Sequence, residues 1–129
     1  MTVEEAIVKA ERILPGVPAP DGKKDPRWQA IIRVGEHVED HPQQVWSFIQ
    51  KWGKHQSEDI SMAIATVLLE HLLEYHFADF FPLVRKTSLK SKFFADTFQR
   101  CGQFGQAIEP RNSKLFKALE KELSREYYF

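Results

Sequence analysis

One cysteine, Cys101, occurs among the 129 residues, so no internal disulfide can form and no cysteine-based zinc site has its second or third soft ligand. A reducing, cytoplasmic setting is the expectation. Eighteen basic and eighteen acidic side chains cancel, which excludes an overall field drawing the chain onto nucleic acid or an anionic membrane. Any such attraction has to be local. The most apolar stretch, Ile60 to Phe81, is broken by Glu70, His71, Glu74, His76 and Asp79, too many ionisable groups for a membrane-spanning helix. The N-terminus carries Glu4 and Glu5 where a secretory signal would be basic, and the expectation is a protein that is not exported. No run alternates with period two, and no Asn-Gly or Asp-Gly turn joins β-branched runs, so strands are not expected. Glycine-rich phosphate loops, nucleophile elbows and kinase signatures are also missing. The expectation is a chain that is not an enzyme and needs no cofactor.

What remains is 43% apolar, 28% charged and 12% aromatic, the composition of one soluble globular domain. Thr2 and Glu5 form a capping box, and Val3, Ala6, Ile7, Ala10, Ile13 and Leu14 recur at helical spacing over residues 1–14. Residues 15–24 hold three of the seven prolines and two of the six glycines, an exposed connector expected to leave that first helix loosely tethered. Asp25-Pro26 and His41-Pro42 each start a helix, the second ending at Gly53. Ser57 caps a fourth, apolar over more than half its girth, which must therefore be covered on two sides and lie centrally. The fifth reads as short, with Pro82 in its first turn. The sixth starts near Ser88 and carries Phe93, Phe94, Phe98 and Cys101; the seventh opens at Pro110 and runs to Tyr127-Tyr128-Phe129. The fold class is all-α.

A shift of 33 residues lays Gln29-Ala30-Ile31-Ile32-Arg33-Val34 over Met62-Ala63-Ile64-Ala65-Thr66-Val67. At 34, Glu36-His37-Val38 falls on Glu70-His71-Leu72, and at 35, Val45 to Ile49 falls on Phe80 to Val84, so the period drifts by single insertions. A lone helix pair cannot bury both faces, and stacked copies build a continuous core. Asp25-Pro26-Arg27-Trp28-x-Ala30-Ile31-x-x-Val34-Gly35 and Asp59-x-x-x-Ala63-Ile64-x-x-Val67-Leu68 resemble the HEAT-like helical repeats, especially the short bacterial kind, over residues 25–103. The resemblance implies a short right-handed α-solenoid of antiparallel helix pairs, about seven helices in all, with residues 110–129 as a C-terminal cap. It also implies a protein-binding scaffold or regulatory module working through its concave face and inter-repeat turns. The rival implication is nucleic-acid binding, as in the HEAT-like DNA-alkylation-repair glycosylases, through a basic C-terminal half.

Charge is unevenly divided: residues 1–76 balance at minus four and residues 77–129 at plus four. Lys86, Lys90, Lys92 and Arg111 fall in or near inter-helix turns, where a stripe could touch phosphates. Lys117 and Lys121, answered by Glu120, Glu122 and Glu126, read instead as an ordinary mixed-charge helix face. Solenoid binding through second helices and turns adds His55 and Arg85 to the candidates. Trp46 lies off the stripe of Val45 and Ile49 and is the expected interface anchor, whereas Trp28 and Trp52 fall on inward stripes. The clusters Glu36-His37-x-x-Asp40-His41 and Glu70-His71-x-x-Glu74-x-His76 lack the His-Glu-x-x-His and paired Glu-x-x-His motifs, and no metal is expected. Cys101 lies among phenylalanines and reads as a blunted core thiol.

Overall fold

A computed structural model of the chain describes residues 1–16 and 25–128. Among them are seven α-helices and no strand. α1 (Val3–Ile13) starts at the expected capping box, the Thr2 hydroxyl accepting from the Glu5 amide and the Glu5 carboxylate from the Thr2 amide. Asp25 caps α2 (Pro26–Gly35) through the Arg27 amide, and α3 (Pro42–Trp52) follows His41 with proline in its first turn. α4 spans 58–75, capped by Ser57. The single residue His76 separates it from α5 (Phe77–Lys90), and Ser91 separates α5 from α6 (Lys92–Gln99). A 3₁₀ turn, Gly105–Ile108, leads into α7 (Pro110–Tyr128).

Contacts advance in step along neighbouring helices. Arg27 meets Asp59 and Gly35 lies against Val67 and Leu68, so α2 and α4 run in the same direction. Ser61 meets Thr97 and Ala65 meets Cys101, which sets α6 alongside α4. Trp46 packs on Phe80 to join α3 to α5, and Phe81 on Phe116 with Ser88 on Tyr127 joins α5 to α7. Side-chain hydrogen bonds between residues more than ten apart all span 29 to 44 residues among the described residues. That interval brackets the 33–35-residue shift at which the sequence overlays on itself.

α4 is central, as its girth requires. Ile60, Ala63, Ile64, Ala65, Leu68, Leu69, Leu72 and Leu73 are all fully buried. Around it, Phe77 stacks on Phe81 with ring centroids 4.6 Å apart, and Phe98 meets Phe116 at 4.7 Å, pairs worth about 0.5–1.5 kcal/mol each beyond their burial. One polar relay crosses this core. Arg100 donates to the Ser61 hydroxyl, Ser61 to Thr97, and Thr97 to the Gly53 carbonyl at 2.6 Å, tying α6, α4 and the end of α3.

The middle of α4, Ile64–Leu69, is a π-helical turn, with the Glu70 amide bonding back to the Ala65 carbonyl. A π turn accommodates one extra residue in an otherwise regular helix. The internal repeat changes its shift from 33 at Val34/Val67 to 34 at Glu36/Glu70, across this same turn. The inserted residue is absorbed in the backbone, and the apolar stripe keeps its face.

Four expectations are corrected. α1 is not detached: Val3, Ala6, Ala10 and Leu14 are buried in the common core, and Glu11 pairs with Lys51 of α3. α5 is long, and Pro82 sits in its interior on the exposed side rather than in the first turn. Its missing amide leaves only a solvent-side gap in the ladder. α6 starts at Lys92, because Ser91 rather than Ser88 supplies the cap; Ser88 belongs to α5 and is fully buried. Trp46 is 5% exposed, its ring edge-on to Phe94 and tilted against Phe80, so a widened apolar face takes it inward. Of the connector 15–24, only Pro15 and Gly16 are described; the remainder lies outside the described residues.

Candidate functional site

Lys86 and Lys90 stand four residues apart and share a face of α5, and Leu83 joins them at i−3 to Lys86. Gln50 and Lys54 have the same spacing at the end of α3. Because α3 and α5 run in the same direction and end together, the two sets face one another. They line a groove of about 310 Å³ with Thr87 and Ser91. Three lysines therefore line one groove where two helices end, and helix C-termini favour cations. Lys86 and Lys90 at i,i+4 repel one another, yet neither they nor Lys54 make an ion pair among the described residues.

Thr87 is 7% exposed and lines this groove, but among the described residues its hydroxyl makes no hydrogen bond. A helical threonine ordinarily bonds the carbonyl four residues back, as Thr66 does with Met62. Ser91, at the far end, is committed to capping the Phe94 amide at 3.2 Å. The groove thus offers three cations, one unengaged hydroxyl and the Gln50 amide beside the apolar Leu83. That donor set suits oxyanions, carboxylate or phosphoryl, carried on a narrow chain.

Of the residues named from sequence, Lys86 and Lys90 are brought together here, and Lys54, which the sequence reading missed, completes the set. Its signal was present: the 35-residue shift lays Gln50 and Lys54 on Arg85 and Leu89, one position short of the lysine pair. Arg85 points the other way and pairs with Glu122 of α7 at 2.8 Å. Lys92 lies over the Tyr128 ring, 5.6 Å from its centroid. Arg111 borders a separate depression between α5 and α7, beside Phe77, Phe81 and Leu115. His55 stacks on Trp52 and accepts the Ser57 amide on Nδ1 at 3.0 Å, which shapes the turn into α4. Trp46 is in the core.

The two histidine and carboxylate clusters have separate duties. Glu36 pairs with Arg33 on the surface, while its repeat counterpart Glu70 is buried and accepts the Gly102 amide at 2.8 Å. His71 meets Glu74 at 2.7 Å and stacks on Phe104; His76 Nε2 lies 2.9 Å from the Glu39 carbonyl oxygen. Among the described residues no group of three or more His, Cys, Asp or Glu side chains is placed to hold a metal ion. Cys101 is buried with its Sγ 3.5 Å from the Ala65 carbonyl, and burial, reinforced by Glu70, pushes its thiol well above the usual range.

Among the described residues no helix is long and apolar enough to cross a membrane. Comparison with protein-family models, with curated proteins and with solved structures finds no match to this chain.

Proposed function

We propose that this chain is a small HEAT-like α-solenoid acting as a non-catalytic protein-binding scaffold, and that the groove between α3 and α5 receives an acidic segment of its partner. The solenoid reading is supported by long-range hydrogen bonds that all span about one repeat, the pattern of units that contact only their neighbours. The π turn at the repeat's one-residue insertion supports it too. Binding rather than catalysis is supported by the blunted, buried thiol of Cys101.

The observation that carries the proposal is the convergence of Lys54, Lys86 and Lys90 from two successive units over the unengaged Thr87 hydroxyl. Lysines that lack counter-ions repel one another, and an entering carboxylate relieves that repulsion while gaining charge-assisted hydrogen bonds. A ten-residue glutamate-rich peptide titrated into ¹⁵N-labelled protein is expected to shift the amides of residues 50–54 and 83–91, and Lys86→Ala/Lys90→Ala to weaken binding at least tenfold. Shifts centred on any other face, or none at millimolar peptide, would overturn the proposal.

A further inference from the structure

α7 turns Phe116, Leu119 and Leu123 into the core. At about 100° per residue, the opposite sector of the helix holds Lys114, Lys117, Lys121 and Arg125, with Arg111 at its margin. All five are exposed, and none makes an ion pair among the described residues. The acids that answer them in the sequence lie off this sector in the fold. Glu122 lies on another flank and is taken by Arg85 of α5. Glu120 is partly buried on the flank beside the core, where Lys117 still acts on it electrostatically, and Glu126 projects about 140–180° round the helix from Lys121 and Lys117. The mixed-charge face expected of α7 is therefore a stripe of one sign.

We propose that this outward face of α7 is a nucleic-acid contact surface that engages the phosphodiester backbone without reading bases. From Arg111 to Arg125 the stripe rises about 21 Å, and over that length a duplex presents about twelve phosphate charges. Lysine and arginine meeting phosphates need no apolar anchor. A protein interface does: its centre is enriched in aromatic side chains and depleted of lysine, and between these cations the sector holds Ala118 and, in its last turn, Tyr128, whose hydroxyl is taken by Asp96 and whose ring lies under Lys92. An anionic membrane would draw on inserted apolar chains that the sector also lacks. Solubility of a terminal helix is met by a face of mixed sign, so it does not account for five cations in a row. Asn and Gln side chains that could read adenine are absent from the sector, which restricts contact to the backbone. This surface is distinct from the α3/α5 groove and does not rest on the function proposed for it.

The test is fluorescence anisotropy of the full chain with a labelled 20-base-pair duplex of arbitrary sequence, as DNA and as RNA, across 20–200 mM NaCl. Binding indifferent to sequence is expected, with a log–log salt slope of about −3 to −4. Lys114→Ala/Lys121→Ala/Arg125→Ala, all at exposed positions, is expected to reduce the slope by about two to three and the affinity at 50 mM salt at least tenfold, with an unchanged circular dichroism spectrum. Lys9→Ala/Arg12→Ala on α1 serves as the control and is expected to leave both unchanged. Binding equally reduced by the α1 control, or kept by the α7 triple variant and lost in Lys86→Ala/Lys90→Ala, would overturn the proposal. So would retention on phosphatidylserine vesicles or polyglutamate at a salt concentration where neither duplex binds.

Discussion

The Arg27 guanidinium lies 2.8 Å from the carboxylate of Asp59, 32 residues further along the chain, and the same carboxylate accepts the Trp28 indole N–H at 3.1 Å. The N-terminus of α2 is thereby clamped to that of α4, with Asp25 gripping Arg27 from the other side. The Arg27 side chain is only 6% exposed, whereas that of Asp59 is 51% exposed. Removing the buried cation is the costlier change, because two carboxylates share it. Arg27→Ala is expected to destabilise by roughly 3 kcal/mol, and Asp59→Asn by about 1 kcal/mol or less. Urea unfolding measures both; equal costs would show that the clamp contributes nothing beyond a surface pair.

Gly53 ends α3 with φ −66°, an ordinary helical value. Space, not backbone conformation, demands glycine there: a Cβ would lie 2.6 Å from the Ile49 carbonyl oxygen and 2.9 Å from the Phe94 ring. Gly53→Ala is therefore expected to lose about 1–3 kcal/mol, although alanine is the better helix former by about 1 kcal/mol. At Gly35 a Cβ meets only side-chain atoms of Val67 and Leu68 at 3.3 Å and the Val67 carbonyl at 3.4 Å, so Gly35→Ala is expected to cost less. A thermal-melt comparison of the two variants decides the order.

Ser88 is fully buried, and its hydroxyl has no hydrogen-bond partner among the described residues, although its carbonyl accepts from Tyr127 at 2.8 Å. An unsatisfied buried hydroxyl is a liability, and alanine also suits the helix better. Ser88→Ala is expected to stabilise by about 0.5–1 kcal/mol. A lower urea midpoint in this variant would mean that the hydroxyl is engaged.

Cys101 in the folded chain is expected to resist iodoacetamide at pH 8 and to react at the rate of a free thiol once urea unfolds the protein. Its pKa is raised in the fold, chiefly by burial. As pH climbs past the ordinary value of 9.0, the unfolded state sheds the proton first, so this thiol lowers stability from there upward. Cys101→Ala is expected to remove that part of the alkaline loss, read as a flatter dependence of the urea midpoint between pH 8 and 10.5.

Much of the local architecture was legible because it depends on neighbours within four residues. Thr2, Asp25 and Ser57 cap the helices they were expected to cap, since a short polar side chain ahead of an apolar stripe has one nearby use for its oxygen. The drift in the repeat at Val67 to Glu70 was also visible, though not that a π turn absorbs it. The burial of Trp46 is not legible in local spacing, because Phe80 and Phe94, 34 and 48 residues away, supply the wall that covers it. Pro82 stands inside α5 rather than at its start because a helix tolerates proline internally when the lost bond faces solvent, and no sequence spacing says which side that is.

Helical periodicity and caps were determined by the chain alone, because they follow from backbone geometry and from apolar side chains leaving water along one face. Which charges stand free was decided only by tertiary structure. Glu122 abandons Lys121 for Arg85, and Lys54 joins Lys86 and Lys90 across two helices. Arg85 and Glu122 meet at 2.8 Å although 37 residues apart in the chain, and that distance is set by how the helices stack.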